Sequence, residues 1–136
     1  MSNQSATIAP SRGWRIYAWV MAALLLLALV LTVFEGSGSI IIDAIDYGVS
    51  ALSLVGVFGY AYGRAIATRA FWRVLLPVLI AWDSGMLIRQ YLDPETGSDL
   101  LIFSVIVVLV ASLLVPSYIA VFRYGYRSPA LWTSRI

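Results

Sequence analysis

One aspartate, Asp83, stands in the middle of the apolar segment LIAWDSGMLIRQYL, residues 79–92, and the polar residues Ser84, Arg89 and Gln90 follow it. An ionised carboxylate at the centre of a membrane helix costs ~2.5–3.5 kcal/mol even on the lenient insertion scale. Such a residue therefore faces the protein interior or a water-filled cavity and pairs with another group. The chemistry open to Asp83 is proton or cation binding, or hydrogen bonding between helices.

Two further aspartates, Asp43 and Asp46, lie near the start of the preceding apolar segment. With a rise of ~1.5 Å per residue, Asp46 lies ~9 Å from the start of its helix and Asp83 lies ~12 Å from the end of its helix. These two helix ends are expected on the same side of the membrane. Arg89 follows Asp83 by six residues, which leaves the two side chains ~120° apart around the helix. We therefore expect Arg89 to reach Asp43 or Asp46 on the neighbouring helix. The predicted polar cluster comprises Asp43, Asp46, Asp83, Ser84, Arg89 and Gln90.

Two interpretations of this polar cluster stay open. In the structural one, an aspartate that is protonated or paired with arginine joins helices and fixes their register, through contacts of ~0.6 kcal/mol each. In the functional one, two carboxylates that face a watery cleft bind a cation or a proton for transport. The sequence slightly favours the structural interpretation, because a single deep aspartate without a counterpart in the other half of the chain is weak support for a pump.

Catalysis has little support in the sequence. The chain contains no cysteine and no histidine, which excludes thiolate and imidazole metal ligands and histidine-based acid–base chemistry. No nucleophile stands beside a base, and EGSGS at residues 35–39 is a flexible turn rather than a phosphate-binding loop. We therefore predict no enzymatic activity, no cofactor and no metal site.

The segments that carry these residues are long and apolar. The 136-residue chain is 61% hydrophobic and only 12% charged, against ~25% charged residues in soluble domains. Uncharged apolar runs of ~18 residues or more are typical of membrane-spanning helices. We predict an all-α integral membrane protein whose four transmembrane helices form a small antiparallel bundle. The predicted spans are 16–34, 40–62, 71–91 and 100–122, in a domain of residues 14–124 with a flexible tail at 1–13 and a short tail at 125–136.

The arginines predict the orientation of these spans. Eight of the nine basic residues precede the first span, separate the second from the third, or follow the fourth. The positive-inside rule then places both termini in the cytoplasm, and we predict a multi-pass protein of the bacterial inner membrane. Short arginine-bearing segments suit anionic lipid headgroups, so the lipid bilayer is a predicted partner. They are too short to build the basic face that nucleic acid requires. The eight are Arg12, Arg15, Arg64, Arg69, Arg73, Arg123, Arg127 and Arg135.

The second span carries small residues at every third or fourth position, which places them on one face of a helix. In lipid, such a face lets two helices approach closely. We favour packing within the chain over contact with a partner subunit. Aromatic residues at the span ends, including Trp72 and Tyr124, are expected at the membrane interface. The predicted helix-packing face comprises Ser50, Ser53, Gly56, Gly59 and Gly63.

The leading functional hypothesis is a non-catalytic accessory, assembly or immunity-type protein that acts through helix contacts within the membrane. Its connections are short, so the expected partner is another membrane protein or a second copy of the chain. The alternative is a small oligomeric transporter or channel that uses Asp83 and Asp46. The surroundings of Asp83 distinguish the two, because a cavity at this carboxyl favours transport, whereas close packing around it favours the accessory role.

Overall fold

Helices form the regular structure of the described chain. The computed structural model describes residues 11–36, 38–93 and 99–133, and these ranges contain no strand. Four of the helices are long and apolar enough to cross a membrane, which suggests a multi-pass membrane protein. The helices are α1 (Arg12–Glu35), α2 (Ile40–Tyr62), α3 (Arg69–Tyr91), α4 (Leu100–Tyr126) and α5 (Pro129–Thr133).

The four long helices contain the predicted spans and extend past three of them at the ends that carry arginine. The predicted first and fourth spans followed uncharged runs, which stop at Arg15 and Arg123, and the predicted third span began at the aromatic pair Phe71 and Trp72. A helix continues through arginine, because arginine has a high helix propensity. The differences are that α1 begins at Arg12 rather than residue 16, α3 begins at Arg69 rather than residue 71, and α4 ends at Tyr126 rather than residue 122.

The segment after α4 folds back onto that helix. The indole Nε1 of Trp132 in α5 donates to the backbone oxygen of Tyr124 at 3.0 Å, and the two ring centroids lie 4.9 Å apart. The predicted C-terminal tail therefore includes a short helix in contact with the protein. Of the two predicted tails, residues 1–10 and 134–136 lie outside the described residues.

The closely packed core lies at one end of the helices, which we call the arginine end. Here α1 and α3 begin and α2 and α4 end, as shown by contacts such as the hydrogen bond from Trp19 to Tyr62 at 3.0 Å. At the opposite end, which we call the acidic end, no hydrophobic side chain of the described residues is buried. The arginine end therefore holds the helices together. The buried hydrophobic residues are Ala18, Val57, Ala61, Trp72, Leu75, Leu76, Leu79, Ala120, Val121 and Tyr124.

The small residues of α2 make room for two aromatic rings in this core. A Cβ atom added to Gly56 would lie 2.6 Å from Cζ3 of Trp72, and one added to Gly59 would lie 2.7 Å from the hydroxyl of Tyr124. Gly56 and Gly59 therefore pack within the chain, against side chains of α3 and α4. Ser53 also faces α4, with its hydroxyl 3.5 Å from that of Ser117.

The other two members of the predicted helix-packing face have different surroundings. Gly63 ends α2 in the left-handed conformation, with φ +62°, which glycine adopts without steric cost. Ser50 lies further from the arginine end and lines a cavity.

Trp72 and Tyr124, which were expected at the membrane interface, are buried within the protein near the ends of their helices. Trp72 is 1% exposed and Tyr124 is fully buried. Their polar groups are satisfied by the loop between α2 and α3, because Nε1 of Trp72 donates to the backbone oxygen of Ile66 at 2.6 Å. The hydroxyl of Tyr124 accepts from the backbone nitrogen of Ile66 at 2.7 Å and donates to the backbone oxygen of Arg64 at 2.5 Å. With these bonds, both rings can be buried without leaving a polar group unpaired.

Arginines of α3 bind backbone carbonyls at the end of α4 that have no partner within that helix. Nε of Arg69 donates to Gly125 and its Nη2 donates to Tyr126, both at 3.0 Å. Nε of Arg73 donates to the same Gly125 oxygen at 3.3 Å. The last carbonyls of a helix lack partners within the helix, and a cation there also suits the helix dipole. These two arginines therefore join α3 to α4, a role in packing that the charge pattern alone did not predict.

Replacing Gly56 with alanine should destabilise the protein by ~1–3 kcal/mol, because the new methyl group overlaps the Trp72 ring. Gly48→Ala is the matched control on the same helix, since nothing lies within 4 Å of its added Cβ atom. That control should be neutral or stabilising by up to ~1 kcal/mol. Unfolding of the purified proteins in mixed micelles by increasing SDS measures both. Equal stabilities for the two variants would contradict this account of the core.

Candidate functional site

Asp83 belongs to the inward face of α3. The buried residues Trp72, Leu76 and Leu79 follow one another at intervals of four and three residues, and Asp83 continues the series four residues later. Positions spaced in this way share one face of a helix. The face that packs the core at the arginine end therefore carries the carboxyl group at its next turn. Asp83 is half-buried.

An interior cavity of about 230 Å³ lies beyond the core, and side chains from all four long helices line it. Asp46 from α2 and Asp83 from α3 are both among them, together with the hydroxyl-bearing residues Ser50 and Ser53. The remaining lining is mostly apolar. The depths calculated from the helix rise placed the two aspartates at a similar level, and both line this cavity.

Asp46 is held by a side chain that the sequence did not single out. Nε1 of Trp82 donates to Oδ1 of Asp46 at 2.9 Å, which joins α3 to α2. Trp82 precedes Asp83 in the chain, so α3 places a donor to the carboxylate of α2 directly beside its own carboxylate. The sequence feature that could have indicated this contact is the tryptophan itself, because a buried indole N–H usually finds a hydrogen-bond acceptor.

Asp83 accepts a hydrogen bond on Oδ2 from the hydroxyl of Tyr118, which joins α3 to α4. The sequence associated Tyr118 with the end of the fourth span. Because α4 continues to Tyr126, Tyr118 lies eight residues inside the helix, ~12 Å from its end. At this position inside the helix, the phenol meets the carboxylate of Asp83.

A second cavity lies on the other side of Asp83. This lateral groove has a volume of about 290 Å³, and its lining residues come only from α3 and α4. Asp83, Leu114 and Tyr118 line both the interior cavity and the lateral groove. The hydrogen-bonded pair of Asp83 and Tyr118 therefore forms part of the wall between the two spaces.

Ser84 and Gln90, the polar residues expected to support Asp83, line the lateral groove. Both are exposed. Neither donates a hydrogen bond to Asp83 within the part of the chain that the structure describes. They add polar groups to the groove without fixing the carboxylate.

The expected ion pair between Arg89 and Asp43 or Asp46 is absent from the described residues. Arg89 is exposed on α3, and the indole of Trp82 occupies Asp46 instead. Helices α2 and α3 make little contact with each other, so the guanidinium does not meet α2. Asp43 lies in the first turn of α2, where a negative charge suits the helix dipole, and it lines neither cavity.

The chemistry of this site is that of carboxylate oxygens in an apolar surrounding. Among the described residues, no donor is bonded to Oδ1 of Asp83 or to Oδ2 of Asp46. These oxygens can accept a proton or balance a positive charge. In the same residues, no three acidic side chains converge as they would around a metal ion.

Comparisons with known proteins add no further guide to this site. No family model matches the sequence, and no curated protein or solved structure is similar to it. Inference about the function therefore starts from the two cavities and the carboxylates between them.

Tyr118 and Asp83 should show a coupling energy of ~0.6 kcal/mol, and at most ~1.7 kcal/mol, in a double-mutant cycle of Tyr118→Phe and Asp83→Ala. The physical reason is the hydrogen bond between the two side chains. The measurement is again SDS-induced unfolding of the four purified proteins.

The matched cycle pairs Tyr118→Phe with Asp43→Ala, whose carboxylate lines neither cavity, and its coupling should be close to zero. Equal coupling in the two cycles would show that Tyr118 does not act through Asp83.

Proposed function

We propose that this protein is a small membrane transporter that binds a proton or a cation at Asp83, with Asp46 facing the same interior cavity. The observation that carries this proposal is that Asp83 lies between two cavities and is not enclosed by neighbouring helices. An ionisable group at membrane depth is a candidate for an ion or proton site. The geometry therefore favours the alternative that the sequence alone ranked second.

The packing of the arginine end argues for a carrier rather than an open channel. Val57, Trp72 and Val121 are almost completely buried there, and they lie between the interior cavity and the arginine end. This packed core therefore closes access to Asp83 from the arginine end. Transport requires a second arrangement of the helices in which this core opens, as in alternating access.

We further propose that the four helices form an antiparallel bundle in a bacterial inner membrane, with both termini in the cytoplasm. Support comes from contacts that join the beginning of α1 to the end of α2, and the beginning of α3 to the end of α4. The arginine end carries seven of the described arginines. The positive-inside rule assigns an end of this kind to the cytoplasm.

An accessory or assembly role is the second candidate, and the uneven packing supports it. Apolar side chains at the acidic end are strongly exposed, including Phe34 at 83% and Leu101 at 78%. Helices in lipid associate through close contact, so these faces suit a partner membrane protein or a second copy of the chain. This role needs neither Asp83 nor the cavities, which is why transport ranks first.

Asp83→Asn should reduce cation or proton flux into proteoliposomes by ~10-fold or more, because it removes a charged contact of ~1.5–3 kcal/mol. The measurement is the dissipation of an imposed pH or sodium gradient, followed with a dye inside the vesicles. Asp43→Asn is the matched control, since Asp43 lines neither cavity, and its flux should equal that of the wild type. Absence of flux in the wild type, together with a larger membrane complex that co-purifies, would favour the accessory role.

A fluorescent protein fused to the C-terminal end should fluoresce in the bacterial cytoplasm, whereas alkaline phosphatase fused after Gly38 should be active in the periplasm. The physical reason is the retention of arginine-rich segments on the cytoplasmic side. Whole-cell fluorescence and phosphatase assays measure the two outcomes. Phosphatase activity at the C-terminal end would reverse the proposed orientation.

A further inference from the structure

The lateral groove combines an apolar surface with one carboxylate. Met86, Phe103 and Val107 line it, and Asp83 lies at its inner wall beside Tyr118. Because only α3 and α4 contribute to the described lining, the groove opens between two helices towards the surrounding lipid. A molecule dissolved in the membrane can reach Asp83 by this route.

Among the described residues, no cationic side chain balances the charge in the groove. No arginine of this part of the chain lines the groove, and Arg89 on the same helix pairs with no described acidic residue. Tyr118 occupies one oxygen of Asp83, and Oδ1 remains open to a ligand. A carboxylate in a low-dielectric surrounding attracts a cation far more strongly than one in water.

The size and lining of the groove restrict the ligand. Its volume of about 290 Å³ equals that of roughly ten water molecules at ~30 Å³ each, which is far too small for a transmembrane helix. Asp83, Ser84, Gln90 and Tyr118 bring few side-chain oxygens to the groove, and a dehydrated calcium or magnesium ion takes about six or more ligands. An organic cation matches both features, because its apolar part needs no hydrogen bonds.

We propose that the lateral groove binds a lipophilic organic monocation, with its positive charge at Asp83 and its apolar groups against Met86 and Phe103. This inference rests on the proposed transport function and names the class of its substrate. Aromatic and sulfur-containing side chains suit such a ligand, because ring faces attract cations and methionine adapts to irregular apolar shapes.

The test measures equilibrium binding of radiolabelled tetraphenylphosphonium to the purified full-length protein in mild detergent. The wild type should bind it, and Asp83→Asn should weaken binding by ~10-fold or more, the ratio that corresponds to ~1.4 kcal/mol. Asp43→Asn removes a carboxylate that lines neither cavity and should retain binding. Triphenylphosphine oxide, a neutral analogue, should not compete.

A second pair of variants tests the groove without changing any charge. Ala111→Phe fills the lateral groove, which Ala111 lines, and should abolish binding. Ala44→Phe adds the same ring at an exposed position of α2 that lines neither cavity, and should leave binding unchanged. Elution of each variant as the same species from a size-exclusion column establishes that it is folded.

Three results would overturn the proposal: no binding by the wild type, binding that Asp83→Asn and Ala111→Phe leave unchanged, or a wild-type groove occupied by co-purified phospholipid instead of the cation. Proton or sodium flux that depends on Asp83, without tetraphenylphosphonium binding, would reject the ligand class and leave the transport function standing. Binding that depends on Asp83 and Ala111, without flux of any cation, would support the site and reject transport.

Discussion

The contact of the Trp72 and Tyr124 rings with Gly56 and Gly59 fixes the rest of the structure. Lipid tails are as apolar as leucine, so helices in a membrane are held by close van der Waals contact and hydrogen bonds rather than by the hydrophobic effect. Both rings fill the space that the glycines leave, and the loop between α2 and α3 satisfies their polar groups. Since this contact lies at the arginine end, the acidic ends of the helices can diverge and enclose cavities.

Across that open half, helix α3 is positioned chiefly by two aspartates. Asp46 binds Trp82 and Asp83 binds Tyr118, so one bond joins α3 to α2 and the other joins it to α4. The same two carboxylates line the interior cavity. The structural and functional interpretations of the polar cluster are therefore compatible, because a bond of ~0.6 kcal/mol is weak enough to be exchanged for a ligand.

The sequence predicted the helices well and the partners of the polar residues poorly. A bilayer requires ~20 apolar residues per helix, which makes the spans visible, and the rotation per residue showed that Arg89 does not share a face with Asp83. The sequence could not show which helices are neighbours. The packing of α2 on α4 brings Tyr124 to Gly59, and the packing of α3 on α4 brings Tyr118 to Asp83. Both tyrosines therefore have partners on other helices, which no single span could reveal.

Under the proposed function, this arrangement links occupancy of the site to the position of α3. A ligand changes an equilibrium between two arrangements only by binding one of them more tightly. A cation that draws Asp83 away from Tyr118 removes the hydrogen bond between α3 and α4 at the open end, while Arg69 and Arg73 continue to hold the other end of α3 on α4. The acidic half of α3 then moves most easily, about a pivot at the arginine end. Opening the arginine end requires separation of Trp72 from Gly56, so the core sets the energy barrier between the two arrangements.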